Sequence, residues 1–87
     1  MLSLKFTDEA WDSYLFWQTQ DKKTLRRIND LILAARRDPF EGIGKPEALK
    51  HSLSGCWSRR IDETNRLVYE VQNDELIIIS CRYHYRD

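Results

Sequence analysis

Residues 56–83 read CWSRRIDETNRLVYEVQNDELIIISCRY and contain three strand-like runs: Cys56 to Ile61, Leu67 to Gln72 and Leu76 to Tyr83. Glu63-Thr64-Asn65 and Asn73-Asp74 mark the breaks between them, and connections that short predict antiparallel hairpins. Working outward toward the N-terminus, the segment Phe40 to Lys50 is punctuated by Gly42, Gly44 and Pro46 and reads as a loop. Before it, Leu25, Ile28, Leu31, Ile32 and Ala35 recur at helical spacing behind Asp21, a good N-cap, and Asp38-Pro39 stops that helix. An earlier helix carries Ala10, Trp11, Tyr14, Leu15 and Trp17, starts at a Thr7 or Asp8 cap and ends near Gln20. Leu2, Leu4 and Phe6 alternate with Ser3 and Lys5, the period-two pattern of a short strand. The order β-α-α-β-β-β predicts an α+β fold, with two N-terminal helices on one face of a mainly antiparallel four-stranded sheet. Its other face is left open.

Composition limits what such a fold can be. Eighty-seven residues make one domain, 1–87, and 41% hydrophobic content with three tryptophans fills one modest core. Fourteen Lys+Arg balance fourteen Asp+Glu, so any polyanion site must come from local segregation of charge. Apolar runs such as Leu76 to Ile79 are far too short for a membrane span, and the N-terminus lacks a signal-peptide pattern. The expectation is a cytoplasmic protein that engages no membrane. Two cysteines, Cys56 and Cys81, sit in apolar surroundings and fit reduced thiols rather than a disulfide framework or a zinc site. The apolar stripe of the first helix is wider than one packing face needs, which makes part of it a candidate for contact with a partner chain.

Charge is segregated where the strands begin. Lys50, His51, Arg59 and Arg60 come with no acid between Ala48 and Ile61, and Arg66 and Arg82 follow on later strands. Strand parity puts Ser58 and Arg60 on one side with Arg59 on the other, and it groups Arg66, Val68 and Glu70. Several arginines can thus converge on one sheet face, and Tyr83-His84-Tyr85 add rings and a titratable group, the combination used to bind single-stranded RNA. These residues suit attack of a ribose 2'-hydroxyl on its own 3'-phosphate. Glu47 would be the base, His84 the acid, and Arg66 with Lys50 the clamp on the developing charge. The route calls for no cofactor, and the sequence contains no Asp/Glu/His cluster with metal-ligand spacing. Simpler roles exist for each residue. Glu47 after Pro46 would also complement a helical turn, Arg66 would also pair with Asp62 or Glu63, and His84 would also be an idle terminal side chain. Tyr83 and Tyr85 share parity with Ile77, Ile79 and Cys81, so one of them also fits the core.

These motifs together resemble the YoeB/Txe family of toxin–antitoxin ribonucleases, within the wider RelE/ParE fold group, over nearly the whole chain. The resemblance is carried by Trp11-Asp12-Ser13-Tyr14, the segment Pro39 to Lys50, the segment Leu53 to Ile61, Asn65 to Tyr69, and Cys81-Arg82-Tyr83-His84-Tyr85. It implies Glu47 as general base, Arg66 as the phosphate-stabilising arginine and His84 as general acid. It also implies that Lys50 and Arg60 hold the RNA and that Tyr85 supports the site and stacks on a base; Arg59 joins this set as a candidate RNA contact from the basic run. The implied activity is a metal-independent endoribonuclease that cuts mRNA in the ribosomal A site and blocks translation. The implied partners are a Phd/YefM-type antitoxin, the ribosome with its mRNA and a second copy of the chain, with operator DNA reached only through the antitoxin. The alternative within the same fold group is a non-catalytic binder of a protein target such as DNA gyrase. Arg86 and Asp87 extend beyond the His-Tyr pair at which the family often stops, and a carboxylate near His84 would favour its protonated form.

Overall fold

The computed structural model describes residues 1–83. Strand β1 (Ser3–Phe6) leads to Thr7, whose hydroxyl accepts the Ala10 amide at 3.1 Å and so caps helix α1 (Asp8–Gln20). The same hydroxyl donates to the Ile79 carbonyl at 3.1 Å, which ties the start of the helix to the sheet. Asp21 then caps helix α2 (Lys22–Arg37): one carboxylate oxygen takes the Lys23 and Thr24 amides and the other the Thr24 hydroxyl. Those bonds, led by the Thr24 hydroxyl and amide, hold the Asp21 carboxyl below the usual carboxylate range. Both helix starts and the stop after Arg37 lie where the cap residues and Asp38-Pro39 predict them.

The sheet has five strands rather than the expected four, in the spatial order β1, β5 (Glu75–Ser80), β4 (Arg66–Gln72), β3 (Trp57–Arg60) and β2 (Glu47–Ala48). The additional one, β2 (Glu47–Ala48), is two residues long and pairs antiparallel with β3 (Trp57–Arg60). No alternation is visible in so short a piece, and the residues before it spell a loop. Strands β4 (Arg66–Gln72) and β5 (Glu75–Ser80) complete an antiparallel series, and β1 joins β5 as the parallel edge. The β4–β5 connection places Asn73 and Asp74 both at positive φ, the conformation a tight two-residue hairpin needs. A bulge at Val68/Tyr69 interrupts the β4–β5 register.

Helices and sheet meet in one core. Ile28, Leu31 and Ala35 of α2 and Ala10 of α1 pack on Leu67, Tyr69, Leu76 and Ile78 from one sheet face. Cys81 closes the cluster just past β5, and burial pushes its thiol up to about 12. Ala10 is the only buried residue of α1; Trp11 and Leu15 remain exposed, and Phe6, Trp11 and Tyr14 form a ring cluster with centroids 5.4–5.7 Å apart. The wide stripe of α1 is therefore only partly used inside the chain. Among the described residues no helix is long and apolar enough to cross a membrane.

Candidate active site

Cross-strand register sorts the polar residues by face, because directly paired residues project to the same side of a sheet. Tyr69 and Leu67, which point at the helices, pair with Trp57 and Arg59. The opposite face therefore carries Ser58 and Arg60 of β3 with Val68 and Arg66 of β4, and Glu47 of β2, which pairs with Ser58. Glu47–Ser58–Val68 form one row and Arg60–Arg66 the next, roughly 7 Å further along the strands. Two strand spacings separate β2 from β4, so the Glu47 and Arg66 backbones stand roughly 12 Å apart, a gap the two side chains can span around a phosphate. Ser58 and Val68 are almost fully buried and form the floor.

Arg60 and Arg66 sit directly opposite each other, an arrangement that disfavours folding unless an anion lies between them. Arg66 is fixed from behind: its Nη1 donates to the carbonyls of Asp62 at 2.6 Å and Asn65 at 3.1 Å. The pairing expected as a surface ion pair with the Asp62 carboxylate is thus made to its main-chain oxygen. The carboxylate turns inward on its own turn, accepting the amides of Thr64 at 2.8 Å and Asn65 at 2.6 Å and the Asn65 side-chain amide. Burial works to raise the Asp62 pKa, but these hydrogen bonds, with the nearby Arg66 charge, outweigh it and hold the carboxyl below its usual range.

Arg59 requires a correction. It is fully buried on the helix side and is no part of an RNA-binding surface. Its Nε donates to the Tyr69 hydroxyl at 2.9 Å, Nη1 to the Ile43 carbonyl at 2.9 Å, and Nη2 to the carbonyls of Asp38 at 2.6 Å and Glu41 at 2.9 Å. The buried cation is compensated by carbonyl dipoles, one of them at the C-cap of α2, where positive charge is favoured. Tyr69 in turn donates to the Pro39 carbonyl at 2.6 Å, and burial, against the pull of Arg59, raises its pKa and keeps it protonated for that role. Arg59 is thus the post around which the loop before Glu47 is wound.

The end of that loop is fixed at Gly44, which has φ +84 and whose carbonyl accepts the Arg60 amide at 2.7 Å. A Cβ there would lie 2.7 Å from Leu31 Cδ2 and 3.0 Å from Arg59 Cβ, so only glycine lets the loop lie flat on the core before Glu47. Lys50 follows β2 and is exposed at the mouth of a 3-10 turn over His51–Leu53. Glu47 is exposed on its short strand.

At its C-terminal end the chain returns to the start of β4. Tyr83, at φ +68, donates its amide to the Asn65 side-chain oxygen at 2.6 Å, and its carbonyl accepts the Arg66 amide at 3.1 Å. Tyr83 is 61% exposed and does not continue the inward parity of Cys81, a departure from the expectation that the strand runs on to it. His84 and Tyr85, and the Arg86-Asp87 extension, lie outside the described residues. Glu47, Arg60 and Arg66 share the face, Lys50 is exposed two residues after β2, and Arg59 is behind the face. Sequence reasoning gave Asn65 no role of its own, although it stands in a turn and opens the Asn65 to Tyr69 motif.

A family model describing YoeB-like toxins of bacterial type II toxin–antitoxin systems matches residues 6–85. The chain belongs to this family. The YoeB toxin of Escherichia coli K12 is 58% identical over 84 residues, which cover 97% of this chain and 100% of that toxin. Among solved structures, a YoeB/ParE toxin from Agrobacterium tumefaciens superposes with a TM-score of 0.94 at 48% identity, covering 97% and 100% of the two chains. Staphylococcus aureus YoeB is similar both in its complex with YefM (TM-score 0.88, 43% identity, 98% and 99% covered) and as a dimer (0.89, 45%, 97% and 98%). The YoeB-like chain described here is accordingly a toxin of a toxin–antitoxin system with a RelE-like α+β fold.

Proposed function

We propose that this toxin is an endoribonuclease that cleaves mRNA in the ribosomal A site, by attack of a 2'-hydroxyl on the adjacent 3'-phosphate without a metal. The observation that carries this reading is the placement of Glu47, Arg60 and Arg66 on one sheet face. Glu47 takes the proton from the 2'-hydroxyl as the 2'-oxygen bonds to phosphorus. His84 gives a proton to the 5'-oxygen as the phosphorus–oxygen bond breaks, leaving a 2',3'-cyclic phosphate and a 5'-hydroxyl. Arg66, with Lys50 and Arg60, balances the extra negative charge of the five-coordinate transition state. Acid and base catalysis contribute roughly 10²- to 10⁴-fold each, and charge stabilisation adds about 10²- to 10³-fold. Tyr85 stacks on a base.

A YefM-type antitoxin silences the toxin in the cytoplasm, and two copies of the chain associate, as the Staphylococcus aureus relatives do in their respective complexes. Exposed Trp11 and Leu15 supply apolar surface for one of these contacts. The test is a programmed ribosome carrying a defined message, with EDTA present and with His84→Gln alongside. Cleavage in the A-site codon that leaves a 5'-hydroxyl and vanishes in the variant is expected. Arrest of cells with no cut message in any reaction would instead support a binder of a protein target such as DNA gyrase.

A further inference from the structure

We infer that Ser58 is a further catalytic residue, whose hydroxyl donates a hydrogen bond to the non-bridging oxygen of the scissile phosphate that faces the sheet; this rests on the endoribonuclease reading above. Ser58 is the cross-strand partner of Glu47 on one side and of Val68 on the other. Its Cβ therefore stands about 4.5–5.5 Å from that of Glu47. Arg60 is the next residue on the same face of its own strand, roughly 7 Å along, and Arg66 is its diagonal neighbour on β4, at roughly 7–8 Å. A phosphate that meets Glu47 through its 2'-hydroxyl and both arginines through their guanidinium groups lies over Ser58.

Ser58 is only 4% exposed, yet its hydroxyl is not sealed in. Among the described residues every side-chain nitrogen or oxygen shut off from solvent has a hydrogen-bond partner, and the Ser58 hydroxyl has none among them, so the sliver of Ser58 left open includes Oγ. Strand parity puts that opening on the face that carries Glu47. Packing does not call for a hydroxyl at this place, because a central strand favours β-branched residues such as the partner Val68. The hydroxyl has one proton to donate, and a bond made on this largely enclosed floor is worth more than one made in open water. Arg60 and Arg66 supply charge from the row alongside, and Ser58 supplies a neutral donor from beneath. As the 2'-oxygen bonds to phosphorus, negative charge builds on the non-bridging oxygens and the bond from Ser58 strengthens. Ser58 keeps its proton throughout and forms no covalent bond.

The experiment times cleavage by wild type, Ser58→Ala and Ser58→Thr on programmed ribosomes under single-turnover conditions. Three messages are used: one with the normal scissile phosphate, and the two diastereomers that carry sulfur in place of one or the other non-bridging oxygen there. Sulfur accepts a hydrogen bond weakly, so loss of a donor from the protein costs nothing further where sulfur already faces it. On the normal message Ser58→Ala is expected to be about 100-fold slower, as for loss of one donor to a developing oxyanion, with its affinity for an uncleavable 2'-deoxy message unchanged. On one diastereomer wild type should slow by a similar factor and Ser58→Ala should then match it, while on the other the Ser58→Ala defect should persist. Ser58→Thr keeps the hydroxyl and should cut the normal message much faster than Ser58→Ala. Cleavage of the normal message by Ser58→Ala at the wild-type rate would overturn the inference and leave the endoribonuclease reading standing. A defect of equal size on all three messages, or one shared in full by Ser58→Thr, would also overturn it, since either marks an effect on packing or on Glu47 rather than on the phosphate. Failure of the wild type to cut the normal message would remove the endoribonuclease reading, and the inference with it.

Discussion

Arg59 and Arg60 are adjacent and chemically identical, and the fold gives them opposite tasks. Arg60 faces outward across from Arg66, while Arg59 is buried under the loop that delivers Glu47. Parity predicted that they diverge, but a buried arginine without a carboxylate partner is not legible in a sequence, because its partners are carbonyls supplied by a loop. Arg59→Met would strand the carbonyls of Asp38, Glu41 and Ile43, each at about 1–3 kcal/mol if not rehydrated. Denaturant unfolding should therefore show a loss on the order of 3 kcal/mol, whereas Arg60→Ala should leave stability unchanged or improve it. Arg66→Ala should slow cleavage by the equivalent of about 2–4 kcal/mol, measured as single-turnover rate on the ribosome. Asn65 shows the limit of residue-by-residue reading, since its side-chain oxygen accepts the amide of Tyr83, eighteen positions away.

At the level of elements, both helices were readable because caps and periodicity agreed: Asp21 before an apolar stripe of period 3.6, and Asp38-Pro39 after it. Strand β2 was not, since two residues carry no period and their strand state comes from pairing with Ser58 and Trp57. The β3–β4 turn has its own electrostatic signature. Asp62 has a lowered pKa, so its contribution is present above the unfolded-state value near 3.8 and is lost as pH falls through the lower folded-state value. Acid unfolding of Asp62→Asn, followed by circular dichroism, should thus show a shallower loss of stability below pH 4 than wild type. The slope due to Asp21 should remain. The turn is fully charged at neutral pH, so the hold on Asn65 is constant across the range in which a histidine titrates.

For the whole molecule, a formal charge of zero concealed local segregation: Asp21 caps a helix and Asp62 closes a turn, while Arg60 and Arg66 stand opposite each other at the open face. RNA affinity should therefore fall with salt, and Arg60→Ala should flatten that dependence by about one counterion, as read from binding titrations at several salt concentrations. The two-layer order of the fold followed from hairpin lengths and helix periods. The joining of Glu47 to Arg66 did not, because three strands and a loop wound on a buried cation bring them together. On the proposed mechanism this face promotes attack by the message's own 2'-hydroxyl. The most direct test is a message with a single 2'-deoxynucleotide immediately 5' of the A-site cut, presented on the ribosome beside the all-ribose control. The deoxy message is expected to be bound and left intact while the control is cut; cleavage of both at the same bond and rate would mean that the 2'-hydroxyl takes no part.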